Sequence, residues 1–196
     1  AQGCVLAAAN AGFACIVALK CETDFVAKNA DFVALTKQIL DKAVEVKPSS
    51  KDELLGLMIG NSTIQQLITD RSGVTGEKME LGEYTFVNGA STIAYVHPGN
   101  MLASIVAFNE AGLDIQVYKD VAMQVAAMNP IAIDEKGVPA DYVAKEREIA
   151  TEKTKAEMVQ KQVDNALSKA GINPAHVDSE AHIESNVEKG WLTAEQ

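Results

Sequence analysis

From Ala140 to Ala170 the chain contains neither Gly nor Pro and is dense in Glu, Lys, Gln and Ala. One long helix is the natural outcome, because most of these residues favour it and nothing breaks it. The apolar residues are sparse and ordered. Tyr142, Ile149, Ala156, Val163 and Ala170 recur every seventh position, with Val159 and Ala166 between them in the later half. That is a narrow, coiled-coil-like seam, not the wide face with which a helix covers a globular core. Gly171 reads as the cap that ends it, and Asn173-Pro174 as the start of another helix. Residues 139–196 are therefore expected to form a projecting helical arm whose return strand is not obvious. Thr193-Ala194-Glu195-Gln196 is a capping-box pattern that should open a helix, and the first residue is not Met. A trimmed piece of a longer protein is expected.

The remainder alternates between strand and helix patterns. Val5 to Ala9, a turn at Asn10-Ala11-Gly12, and a return run from Phe13 to Leu19 predict a hairpin, with Phe13, Cys15, Val17 and Leu19 on one face. After it the spacing becomes helical. Phe32, Leu35, Ile39, Leu40 and Ala43 share a stripe that Pro48-Ser49-Ser50 ends. Shorter helical patterns follow at Lys51–Ile59 and Ser62–Thr69, then a connector from Arg71 to Glu83 bearing Gly73, Gly76 and Gly82. Tyr84–Val87, the turn signal Asn88-Gly89, Thr92–Val96, a turn at His97-Pro98-Gly99-Asn100 and Met101–Phe108 predict a three-stranded meander. An amphipathic helix over Ala111–Met128 is expected to face the core with Val117, Val121, Val125 and Met128. The fold class is α+β in two halves, 1–72 and 73–138, followed by the arm at 139–196.

The junction of the first strand pair with the first long helix is the most specific stretch. It reads Cys21-Glu22-Thr23-Asp24-Phe25-Val26-Ala27-Lys28-Asn29. Thr23 or Asp24 can cap a helix starting near Asp24, and Phe25 then lies on its first turn. Read by pattern alone, Thr23 and Asp24 are caps and Phe25 belongs to the core. The stretch resembles the signature of the elongation factor Ts family, whose usual pattern is Glu-apolar-Asn-Cys-Gln/Glu-Thr-Asp-Phe-Val. Ala18 stands where the acidic residue is usual and Lys20 where Asn is usual; Thr23-Asp24-Phe25-Val26 is intact. Gly76-Glu77-Lys78 resembles the family's Gly-Glu-Asn, with Thr75 before it where a larger aliphatic is usual.

The resemblance implies two related subdomains, each a small antiparallel sheet with packed helices, and a coiled-coil arm. It implies guanine-nucleotide exchange on the GTPase EF-Tu, with Asp24 and Phe25 inserted beside the partner's Mg²⁺ and phosphate site. Thr23 and Val26 complete the partner-binding motif, and contacts at Gly76 and His97 are further expectations. No cofactor or metal is expected. The chain would not be an enzyme, since no bond is made or broken in exchange.

Other chemistries find little support in the residues. A net charge of −10 opposes nucleic-acid binding, which needs a basic stripe. Cys4, Cys15 and Cys21 are odd in number and form no CxxC, so buried reduced thiols are expected. No signal peptide, lipidation site or membrane-length apolar run is evident, and the expectation is a soluble cytoplasmic protein with no membrane partner. His176 and His182, six apart, do not make a helical metal pair. Asp24 and Asp31 would stand about 10 Å apart on one helix, too far for a retaining glycosidase. The glycines at 73, 76 and 82 match no phosphate-binding motif. Two alternatives to exchange remain: an assembly module that homodimerises through the arm, and a thiol enzyme using Cys21 with Lys20 beside it.

Overall fold

The first strand pair turns where the sequence reading puts it. In the computed structural model, which describes residues 2–177 and 180–191, β1 (Gln2–Asn10) and β2 (Phe13–Cys21) are antiparallel, with Asn10 opposite Phe13. Ala11 and Gly12, at φ 46° and 81°, make the two-residue turn with both residues left-handed, the form whose twist suits a hairpin. The side chain of His182 and the pattern at 193–196 lie outside the described residues.

The chain divides into two compact units, Ala1–Pro130 and Ile131–Gln196. In the first, a single helical turn, α1 (Asp24–Ala27), follows β2 and is separated by Lys28-Asn29 from α2 (Ala30–Val46). The Asn29 side chain accepts from the amides of Asp31 and Phe32, so a new helix starts instead of the old one continuing. The stripe predicted for α2 is buried: Phe32, Leu35, Ile39, Leu40 and Ala43, joined by Thr36, whose hydroxyl donates to the Phe32 carbonyl. They pack with Cys4, Phe13, Val17 and Leu19 of the sheet. Each fully buried Phe, Leu or Ile contributes about 1.5–3 kcal/mol.

Next come α3 (Lys51–Gly56), the short pair β3 (Met58–Ile59) and β4 (Ser62–Thr63), and α4 (Ile64–Thr75). Met58 thus stands on a strand, half exposed, and not on the helix expected there. Thr63 and Gln66 form a capping box, and α4 runs on through Gly73 to Thr75, inside the stretch expected as connector. Gly76, at φ 73°, is the left-handed residue that stops it.

The predicted meander is not formed. β5 (Glu80–Asn88) pairs antiparallel with β2, giving a sheet in the order β1-β2-β5, while β6 (Ser91–Val96) and β7 (Ala103–Phe108) pair with each other in a separate two-stranded sheet. Pairing therefore runs across residue 72, where the sequence reading divides the two halves. Asn88-Gly89 is a passage from one sheet to the next: Gly89 donates to the Gly12 carbonyl, and a Cβ on Gly89 would stand 2.7 Å from the Phe108 carbonyl oxygen. Gly82 is the extra residue of a β-bulge opposite Ala18 and Leu19, so Leu81 and Tyr84 both turn inward although three apart. The Tyr84 hydroxyl donates to the Pro48 carbonyl at 2.8 Å.

Helix α5 (Ile115–Met128) covers β6 and β7. Its buried residues are Tyr118 and Ala122, not Val117 and Met128, which are exposed. The Tyr118 ring packs on Phe108 with centroids 4.6 Å apart, and the Ser104 hydroxyl donates to the Ala122 carbonyl at 2.6 Å. Those two contacts set the helix's rotation. The second unit holds α6 (Ala140–Lys169), a 30-residue helix with no buried residue among those described. A 3₁₀ turn at Pro174–His176 and α7 (Glu180–Glu188) follow. Tyr142, Ile149, Val159 and Val163 of the predicted seam are exposed. The fold is α+β, as expected, with small antiparallel sheets and packed helices.

Candidate functional site

Thr23 ends the extended chain and caps α1, its Oγ1 accepting from the Val26 amide at 3.4 Å. On this one-turn helix Ala27 alone is buried. Phe25 is 83% exposed, a large aromatic ring with almost nothing over it. Its echo seven residues on, Phe32, is 0% exposed. Leaving a phenylalanine in water forgoes the burial that stabilises a fold, so the exposure of this one is informative. Asp24 is exposed and pairs with Lys28 one turn along, Nζ to Oδ2 2.9 Å. That hydrogen bond and the ammonium charge hold its carboxyl below the usual range.

The turn is fastened from two sides. The Cys21 thiol donates to the Thr23 carbonyl at 3.2 Å. From the segment after α4, the Glu77 carboxylate accepts from the amides of Glu22 and Thr23, at 3.1 and 3.0 Å, and from the Thr23 hydroxyl. The Thr23 hydroxyl, and then the two amides, hold the Glu77 carboxyl below its usual range. Thr75 is engaged in the same segment: its hydroxyl meets the carbonyls of Arg71 and Ser72, and it accepts from the Glu77 amide.

On another side lies the β6–β7 turn. Gly99 and Met101 line one hollow with Gln2, Gly3, Asp24, Ala27 and Lys28. Met101 is 61% exposed. His97 is exposed at the start of this turn, with Nδ1 2.7 Å from the Tyr95 hydroxyl, and Asn100 ties the turn to the sheet by accepting from the Val5 amide. The Gly76 segment and the turn that begins at His97 thus both come to the motif, the first through Glu77 and the second through Gly99 and Met101. Glu77 itself escaped the sequence reading. The signal for it was present in Gly76-Glu77-Lys78, but nothing local says which amides a glutamate meets more than fifty residues away.

Cys21 is not placed as a nucleophile. Cys21 is 3% exposed, and burial, then the Glu77 charge, pushes its thiol up, the opposite of what a nucleophile needs. Cys4 and Cys15 are likewise buried free thiols. Among the described residues no three His, Cys, Asp or Glu gather as metal ligands, and no helix is long and apolar enough to cross a membrane.

The model of the family described as "Elongation factor TS" matches residues 22–181. A protein of Parabacteroides distasonis named elongation factor Ts is 60% identical over 196 residues, all of this chain and 59% of the relative. Its counterpart in Bacteroides thetaiotaomicron is 60% identical over 195 residues, with the same 59% of its length matched. The protein of that name from Porphyromonas gingivalis is 56% identical over 154 residues, 78% of this chain and 56% of the relative. The chain thus spans less than two thirds of the curated relatives it matches. By its match over residues 22–181 and its intact Thr23-Asp24-Phe25-Val26, this chain belongs to the elongation factor Ts family.

Proposed function

We propose that the chain promotes GDP release from EF-Tu by inserting Asp24 and Phe25 beside the partner's nucleotide site. The observation that carries this is the exposure of Phe25 on a helical turn whose entry is pinned by Glu77 and Cys21. A GTPase holds GDP through the amides of a Gly-rich loop and a Mg²⁺ that bridges to phosphate. Mg²⁺ demands near-ideal octahedral geometry, so a small displacement of the helix beside it weakens the whole grip. Burying Phe25 in the partner would supply about 2–3 kcal/mol towards that displacement. Asp24 accompanies it as a negative charge aimed at the same place. Thr23 and Val26 shape the turn, and the residues near Gly76 and His97 flank it as further contacts.

The reading is tested by reciprocity. If the chain weakens GDP binding, GDP must weaken binding of the chain by the same factor. Titration into nucleotide-free and GDP-loaded EF-Tu should give affinities that differ by tenfold or more, about 1.4 kcal/mol of coupling. Equal affinities would rule out exchange by this route. The exposed seam of α6 favours a second reading, an assembly role in which two copies pair along Tyr142, Ile149, Val159 and Val163. Sedimentation that stays monomeric at high concentration would remove it.

A further inference from the structure

A four-residue helix cannot hold its own direction, since nucleating one turn is unfavourable and only neighbours can fix it. Ala27 and Val26 pack on the core and hold the turn's far end, and the polar partners at its entry are few. The internal cap, Thr23 Oγ1 to the Val26 amide, is long at 3.4 Å, and the Cys21 thiol is a weak donor. The Glu77 carboxylate is the strong partner, taking three donors at once from Glu22 and Thr23. Hydrogen bonds to an ionised acceptor are shorter and stronger than neutral ones.

Glu77 is in turn held at both ends of its own peptide. Its amide donates to the Thr75 hydroxyl at 3.3 Å, and its carbonyl accepts from the Ser72 hydroxyl at 2.6 Å. The left-handed Gly76 before it fixes where the side chain leaves α4. Helix α4 is itself tied to the start of α2, the Arg71 guanidinium donating to Asn29 at 2.8 Å and Asp31 at 3.1 Å. A continuous set of contacts therefore runs from the core through α4 and Glu77 to the turn that carries Phe25.

Resting on the insertion reading above, we propose that Glu77 is a positioning residue: its carboxylate clamps the Glu22–Thr23 backbone and so aims Phe25 at the partner without touching the nucleotide itself. The clamp acts through acceptor geometry. A glutamine can reproduce it, its amide oxygen taking the two N–H groups and its NH₂ facing the Thr23 oxygen. An aspartate, one methylene shorter, cannot reach from the same backbone.

The test combines amide hydrogen exchange by NMR, equilibrium unfolding and release of fluorescent GDP from EF-Tu, on this chain and on Glu77→Ala, Glu77→Gln and Phe25→Ala. In Glu77→Ala the Glu22 and Thr23 amides should exchange about tenfold faster or more, with the unfolding midpoint unchanged. Acceleration of GDP release should fall about tenfold or more, as misaimed groups do. Glu77→Gln should recover the protection and most of the acceleration. Phe25→Ala should lose the acceleration while both amides stay protected. Unchanged amide exchange in Glu77→Ala, or GDP release as fast as with the parent chain, overturns the proposal. Should Glu77→Ala fail to fold, Glu77→Asp carries the same expectations and the same refutation. If the parent chain itself does not accelerate release, the insertion reading fails, and the amide measurements alone decide whether the clamp exists.

Discussion

Replacing Phe25 and Phe32 separately by alanine compares two copies of one sequence, Asp-Phe-Val-Ala, in opposite environments. Phe32 is 0% exposed, on the face of α2 that packs with Leu35, Ile39 and the sheet. Truncating it loses the transfer term and leaves a cavity, about 3–5 kcal/mol together. Phe25 is 83% exposed, so only about a sixth of its surface is covered, and its truncation should cost about 0.5 kcal/mol. Urea unfolding followed by circular dichroism at 25 °C separates these by a wide margin. Domains of this size are stable by about 5–15 kcal/mol, so Phe32→Ala removes a large share of the total. Where it leaves no folded baseline, Phe32→Leu gives a smaller loss on the same scale. A loss above about 2 kcal/mol for Phe25→Ala, or below about 1 kcal/mol for Phe32→Ala, would mean the two environments have been exchanged. The insertion model would then move one heptad along the chain or be abandoned.

Replacing residues 139–196 by a short linker should shift the melting of the first unit by less than about 2 °C, since α6 buries no described residue; loss of cooperative unfolding would refute this. Ala11→Asn creates Asn-Gly at a turn whose first residue sits at φ 46°, and should stabilise by about 0.5–1 kcal/mol in the same urea assay. Stability should fall on the alkaline side. Burial pushes the Cys15 thiol up to about 11 from its ordinary 9.0, so the unfolded thiol ionises first; the contribution is complete below pH 9 and is lost as pH rises towards 11. Burial first, and nearby charge second, push Tyr84 up to about 12, adding a further loss above pH 10. A urea midpoint independent of pH between 8 and 11 would contradict both.

What could be read from the residues was local. The β1–β2 hairpin, the stripe of α2, the cap at Thr23 and the length of α6 all rest on neighbours within a turn or two. What could not be read depends on distant partners. Strand β5 prefers β2, more than sixty residues earlier, to the nearby β6, and period two cannot announce a partner. Gly82 then hides the inward face of β5 by adding a bulge, and Gly89 looks like a hairpin turn because close approach to Phe108 demands the same residue. On α5 the apolar residues are so many that Val117, Val121, Val125 and Met128 also make a stripe, and the Phe108–Tyr118 contact turns a different face inward. At the site, the resemblance singled out Thr23 to Val26, and of these four Phe25 is the large side chain left exposed. The Glu77 clamp, joined to Thr23 across the gap between two helices, was legible only in three dimensions.

The central claim is that Phe25 drives exchange, and stopped-flow release of fluorescent GDP from EF-Tu measures it directly. This chain should accelerate release, and Phe25→Ala, still folded, should abolish most of the acceleration. Release by Phe25→Ala as fast as by the parent chain would contradict the account.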